Sequence, residues 1–171
     1  VLMGPCLGSS IIAHAVASKK LQPAGLILNS PPRRFVIPYA LLPLAYILPA
    51  FFMGIIGKPL IRIWLKITMK PSLQRETYLE NISNATGMRW KKFLKITHWD
   101  SFDDYPLINC PTFVTGASED RIHENKIAKE AAELIKNVEF MDTPSYYWSH
   151  YYPGILEYKD KIEEFISSLV K

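Results

Sequence analysis

The five residues Gly4-Pro5-Cys6-Leu7-Gly8 constrain the fold of this chain more than any other stretch. Residues 1–4 read as the end of a buried strand. From residue 7 to about residue 21, Ile11, Ile12, Ala15 and Val16 recur on one helical face, and Lys19 and Lys20 close it. No residues are left for an ordinary loop between strand and helix, so the chain must turn sharply at Cys6. Side chains at positions 4 and 8 would collide with the adjoining strand and helix, which is why both are glycine. Such a turn lifts the central side chain clear of the backbone at the carboxyl edge of a sheet. It also presents the Leu7 N–H at a helix N-terminus, where an anion is favoured and where a cysteine is biased towards thiolate.

The run Ala-Gly-Leu-Ile-Leu at 24–28 is apolar without alternation, as suits a strand buried on both faces of a parallel sheet. Strand, turn, helix and strand make a βαβ unit. Asn29 to Arg34 is a turn and a boundary. The same pattern returns after Pro106: a strand at 111–116, a polar loop, and a helix at 126–136 with Ile127, Ala131, Leu134 and Ile135 inward. A short strand follows at 138–141, then a loop. A closing helix at 155–170 has Ile155, Tyr158, Ile162, Phe165, Ile166 and Leu169 on one side.

Between these halves the composition changes. Residues 35–57 carry no charge, but Pro38, Pro43 and Pro49 argue against one regular helix and against a membrane span. Arg62, Lys66 and Lys70 follow four apart and form one helical stripe, and residues 71–100 read as polar and helical. With 21% charged and 49% hydrophobic residues, the chain can build a core. Its net charge of +4 is dispersed, which does not suit a nucleic-acid binder. Cys6 and Cys110 form no C-x-x-C pair, and the compartment reads as reducing and cytoplasmic. The four histidines have no metal-ligand spacing. No metal and no cofactor are expected.

Gly4-Pro5-Cys6-Leu7-Gly8 resembles the G-x-S-x-G elbow of the α/β-hydrolase fold, with cysteine in place of serine. In that family the acid follows a late strand and the histidine follows the last one. Asp120, in Thr-Gly-Ala-Ser-Glu-Asp-Arg-Ile, resembles the acid loop, and His150, in Trp-Ser-His-Tyr-Tyr, stands before the terminal helix. The resemblance implies an α/β architecture: the C-terminal part of a mostly parallel hydrolase-like sheet. Its core segments are 1–33 and 101–171, and residues 34–100 take the place of an inserted helical cap. It implies a Cys6–His150–Asp120 triad acting on an acyl ester or thioester, with Leu7 in the oxyanion hole. Glu119 is the competing acid. Dienelactone-hydrolase-like enzymes and polyhydroxyalkanoate-synthase-like acyltransferases carry the cysteine form of the elbow, so acyl transfer is an alternative. An inactive hydrolase-shaped binding module is another.

Plainer readings stay open for each residue. Cys6 can also be read as a small buried side chain, His150 as a loop histidine and Asp120 as a helix cap. Ser9 and Ser10 lie too far along the helix for the nucleophile position, His14 reads as a core or pocket-edge residue, and Cys110 as core. The family also places strands ahead of the elbow, so this chain is expected to be a C-terminal fragment that folds poorly alone. The expected partner is a small acyl or lipid-like substrate. Peripheral membrane contact through the apolar cap is a further expectation, with the basic stripe towards anionic head groups.

Overall fold

A computed structural model describes residues 1–34, 46–47, 53–68, 73–84, 98–118, 124–144 and 154–170. The chain divides into two compact units, Val1–Arg33 with Asp100–Lys171, and Arg34–Trp99.

The first unit holds strands β1 (Leu2–Pro5), β2 (Leu26–Asn29), β3 (Thr112–Ala117) and β4 (Val138–Thr143), which form a parallel sheet in that order. The register runs Met3 to Ile27 to Phe113 to Glu139, so successive residues of each strand face opposite sides. Every residue of β2 and β3 is buried, the polar Asn29, Thr112 and Thr115 included, as suits central parallel strands. β1 is an edge of the described sheet, and Met3 on it remains exposed.

Helix α1 (Leu7–Ala17) joins β1 to β2. It buries only small residues, Ser9, Ser10 and Ala13, which lets its axis approach the sheet closely. Ile11, expected on the inward face, is exposed. The helix ends before residue 21 because the Ser18 hydroxyl donates to His14 O at 2.7 Å and Lys19 turns to φ 59°, with Lys20 N–H closing back on Ala15 O.

One face of the sheet packs Leu26, Leu28 and Val114 with Ala13, Tyr105, Ile108, Ala131, Ala132 and Ile135. The last three come from and just after the helix Asn125–Leu134. Its buried stripe is Ala128, Ala131, Ala132 and Ile135; Leu134, expected inward, is exposed. Alanines dominate because the helix lies tight against β3 and β4. The other face packs Ile27 and Phe113 against Phe165, with Ile162 and Leu169 beside them. The closing segment is two helices, Gly154–Glu157 and Lys159–Ser168, parted at Tyr158 (φ −105°, ψ 0°), and Ile166 faces outward.

The chain leaves the first unit at Arg33 and re-enters at Asp100, and these ends are clasped together. The Ser101 N–H donates to Arg33 O at 3.0 Å, and the Ser101 hydroxyl reaches Pro32 O at 2.7 Å and Arg33 O at 2.9 Å. The Arg33 guanidinium pairs with Asp100 at 3.0 Å and lies over the Phe102 ring at 4.8 Å.

Within the second unit a π-helical turn, Met53–Gly57, leads into α2 (Lys58–Thr68), which packs against α3 (Leu73–Asn84). With these two helices named, Asn125–Leu134 is α4, Gly154–Glu157 is α5 and Lys159–Ser168 is α6. Most of the apolar run 35–57, and Lys70, lie outside the described residues. Among the described residues no helix is long and apolar enough to cross a membrane.

Candidate active site

Cys6 is the single residue between β1 and α1, and its backbone sits at φ 47°, ψ −118°. Positive φ is uncommon for a residue with a Cβ, and this ψ lies outside even the left-handed helical basin. Strain of this kind is worth about 1–3 kcal/mol and persists only where neighbours over-determine it. Here they do. The Cys6 N–H donates to Asn29 O at 2.9 Å, and the Ser9 N–H donates to Cys6 O at 3.0 Å. The buried Ser9 hydroxyl donates to Gly4 O, with Asn29 O at 3.2 Å. Ser10 reaches Pro32 O at 3.2 Å, so both serines brace the turn.

The glycine requirement is one of space. A Cβ on Gly4 would lie 2.6 Å from Gly8 C, 2.8 Å from Gly8 O and 2.9 Å from Ser9 N, all backbone atoms. One on Gly8 would meet Pro5 Cδ at 3.3 Å. Neither glycine has positive φ. The strand and helix therefore meet at glycine-only distance, and the conformational strain falls on the cysteine between them. The Cys6 thiol is a free, partly exposed thiol at the N-terminus of α1, and no side chain caps that end of the helix. Among the described residues nothing accepts the Leu7 N–H.

Asp120 and His150, and Glu119 with them, lie outside the described residues. What is described is the framework on either side. Ser118 directly follows β3: its N–H donates to Thr143 O at 2.9 Å, and its hydroxyl donates to the Asp142 carboxylate. Asn125 Nδ2 reaches the Ser118 hydroxyl at 3.4 Å, and Ala117 bridges Glu124. Thr143 Oγ1 donates to Gly116 O at 2.7 Å at the end of β4. Both ends of segment 119–123 are thus anchored at the carboxyl edge of the sheet.

Ser30 belongs to the same edge and escaped the sequence reading. Pro5 pairs with Asn29, so Ser30 stands one step beyond β2 as Cys6 stands one step beyond β1. Ser30 is also at positive φ (45°), its N–H donates to Thr115 O at 2.8 Å, and its buried hydroxyl has no partner among the described residues. In sequence it is a serine before a proline, which signals only a turn. His14 proves not to be core: its side chain is 51% exposed and its Nδ1 lies 3.1 Å from Asp104. Cys110 packs beside the larger core cluster, and burial pushes its thiol pKa up. Among the described residues no three His, Cys, Asp or Glu side chains gather as a metal site would require.

The fold has clear counterparts. The chain is similar to an enol-lactonase from Burkholderia xenovorans LB400 (14% identity, TM-score 0.73), covering 96% of this chain and 64% of that one. It is similar to a thermophilic esterase from Thermogutta terrifontis (19%, TM-score 0.74; 99% and 65%). It is likewise similar to an esterase from Exiguobacterium antarcticum (16%, TM-score 0.67; 100% and 66%). The chain spans just under two thirds of the length of each. No protein-family model and no curated protein matches the sequence. Four parallel strands in sequential order, a strained residue between glycines at the first strand end, and these structural likenesses together give the chain the α/β-hydrolase fold.

Proposed function

We propose that the protein hydrolyses an acyl ester or thioester through a covalent intermediate on Cys6, with His150 as base and Asp120 as its orienting acid. The observation that carries the reading is the Cys6 backbone at φ 47°, ψ −118° between two glycines. A chain gains nothing in stability from that conformation, whereas a nucleophile held clear of the backbone needs it.

The sheet order supports the proposed partners. Neighbouring strands lie about 4.8 Å apart, so the ends of β1 and β3 are separated by roughly 10 Å and those of β1 and β4 by roughly 14 Å. An extended chain covers about 3.3 Å per residue. His150 lies seven residues beyond Thr143, ample to span the second distance. Asp120 lies three residues beyond Ala117, enough to reach towards β2. The proteins named above, an enol-lactonase and two esterases, favour acyl chemistry on this fold.

In the proposed cycle His150 takes the thiol proton as Cys6 Sγ attacks the acyl carbon. The resulting oxyanion is held by the Leu7 N–H, a kind of donor worth about 3 kcal/mol. The C–O or C–S bond then breaks, and the leaving alcohol or thiol receives the proton from His150. Water, deprotonated by the same imidazole, attacks the thioester on Cys6, and the carboxylic acid leaves with the thiol restored. Turnover of nitrophenyl esters of increasing acyl length, and of an acyl thioester, tests this. Cys6→Ala and His150→Gln are each expected to lower kcat by about 10³-fold or more. Unchanged turnover in Cys6→Ala would end the proposal.

A further inference from the structure

Among the described residues three that are not glycine have positive φ: Cys6, Lys19 and Ser30. Lys19 lies just beyond α1, where the helix closes, and the turn at Cys6 is that of the proposed nucleophile. Neither reason covers Ser30. It takes φ 45°, stands before Pro31 and is 2% exposed. Its hydroxyl oxygen is closed off from solvent and bonds to none of the described residues. A buried hydroxyl left unpaired forfeits the bonds it would make with water, and positive φ is uncommon for a residue with a Cβ. Both features work against stability, and they coincide in one small side chain. Such a group calls for an explanation beyond packing.

The ladder sets Ser30 beside Cys6. The Cys6 N–H donates to Asn29 O at 2.9 Å, the bond by which a parallel pair puts residue 6 opposite residue 30. Pro5 pairs with Asn29 one step earlier, and the Ser30 N–H carries the ladder on to Thr115 O at 2.8 Å. The two α-carbons are therefore neighbours across a single strand spacing of about 4.8 Å. Their backbones turn alike, at φ 47° and 45°. Each side chain has one heavy atom beyond Cβ, so one rotation at each residue sets the gap between sulfur and oxygen.

We propose that Ser30 is a positioning residue for Cys6: its hydroxyl donates a hydrogen bond to the sulfur once the thiol has lost its proton, and so steadies the thiolate for attack. The inference rests on the reading of Cys6 as the nucleophile. A neutral thiol is a weak acceptor, which leaves the hydroxyl unpaired in the resting protein, whereas a thiolate is a charged and therefore strong one. The hydroxyl keeps its own proton throughout. The only bond broken in forming the thiolate is the S–H that His150 opens, and the Leu7 N–H remains for the oxyanion. When the sulfur is acylated its charge is gone and the hydroxyl is released, to be taken up again as the thiolate departs.

Alkylation of Cys6 by iodoacetamide in the purified protein, followed by peptide mapping from about pH 5 to 10, tests this, because the reagent reacts with the thiolate. Ser30→Ala deletes the hydroxyl and keeps the Cβ. It is expected to slow alkylation at pH 7 by about three- to tenfold and to move the inflection of the pH–rate curve upward. With an acyl thioester, kcat should fall by a similar factor while KM stays within about twofold. The urea midpoint should be unchanged or higher, since the hydroxyl has no bond to lose. Ser30→Gly, which also frees the backbone, should show the same loss of alkylation rate. Parental alkylation in either variant overturns the proposal. So does a urea midpoint of Ser30→Ala well below the parent's, which would mean that the hydroxyl is bonded in the resting protein. Slower turnover with unchanged alkylation would give the hydroxyl a different partner and likewise overturn it. Turnover retained in Cys6→Ala would instead end the nucleophile reading, and the alkylation rates alone would decide whether the hydroxyl serves the sulfur.

Discussion

Replacing Cys6 with glycine is expected to make the protein more stable while abolishing turnover. The backbone at φ 47°, ψ −118° costs a residue with a Cβ about 1–3 kcal/mol. Glycine removes that cost but gives the unfolded chain more freedom, which takes back about 0.5–1 kcal/mol. The thiol is only partly buried, so its loss subtracts little. The net gain is about 1 kcal/mol, which in a protein of this size raises Tm by roughly 2–4 °C. Cys6→Ala supplies the control, because it deletes the sulfur and keeps the strained Cβ. It should stay within about 0.5 kcal/mol of the parent and be equally inactive. Urea denaturation followed by circular dichroism gives both differences, read from midpoints at constant slope. If glycine and alanine prove equally stable, or glycine the weaker, the strain is not held at Cys6 and the reason for the conformation falls away.

Gly4→Ala should destabilise by at least about 2–3 kcal/mol, since its Cβ meets three backbone atoms inside 3.0 Å that cannot turn aside; near-parental stability in urea would contradict the close approach. The Tyr105 phenol is held above its ordinary range by burial, with the Asp104 and Asp100 charges adding and the neighbouring Ser101 and Ser10 hydroxyls opposing. The folded state therefore keeps that proton longer than the unfolded chain. Stability is full below about pH 10 and falls as pH rises through and beyond it, so Tyr105→Phe should show a shallower alkaline decline in stability measured from pH 8 to 11. Burial disfavours the Cys110 thiolate, so limited iodoacetamide near pH 7.5 should label Cys6 first; peptide mapping that finds Cys110 modified as fast would refute this.

What the sequence revealed followed from local signals. Paired glycines around Cys6 placed the β1–α1 turn, the unbroken apolar run at 24–28 placed β2, and the stretch at 111–116 placed β3, both strands to within two residues of their observed ends. Packing faces were less legible. Leu134 looks like a core residue by hydropathy, but the tight seat of α4 on the sheet selects Ala128 and Ala132 and leaves the larger side chain outside. The break at Tyr158 and the turn to positive φ at Lys19, just beyond α1, are backbone events that hydropathy does not report. The site divides the same way. The place of Cys6 in the turn ahead of α1 is local and could be read directly. Ser30, unremarkable in sequence, enters only because β1 and β2 pair in register, and the Ser118–Asp142 contact joins residues 24 apart across two strands.

The most direct test is to catch the intermediate. The protein would be mixed with an acyl thioester, quenched in acid within a turnover, and weighed intact before peptide mapping. The proposed chemistry predicts one acyl group per chain, attached at Cys6 and absent from Cys6→Ala. Turnover without any acylated protein, or an acyl group on a different residue, would contradict it.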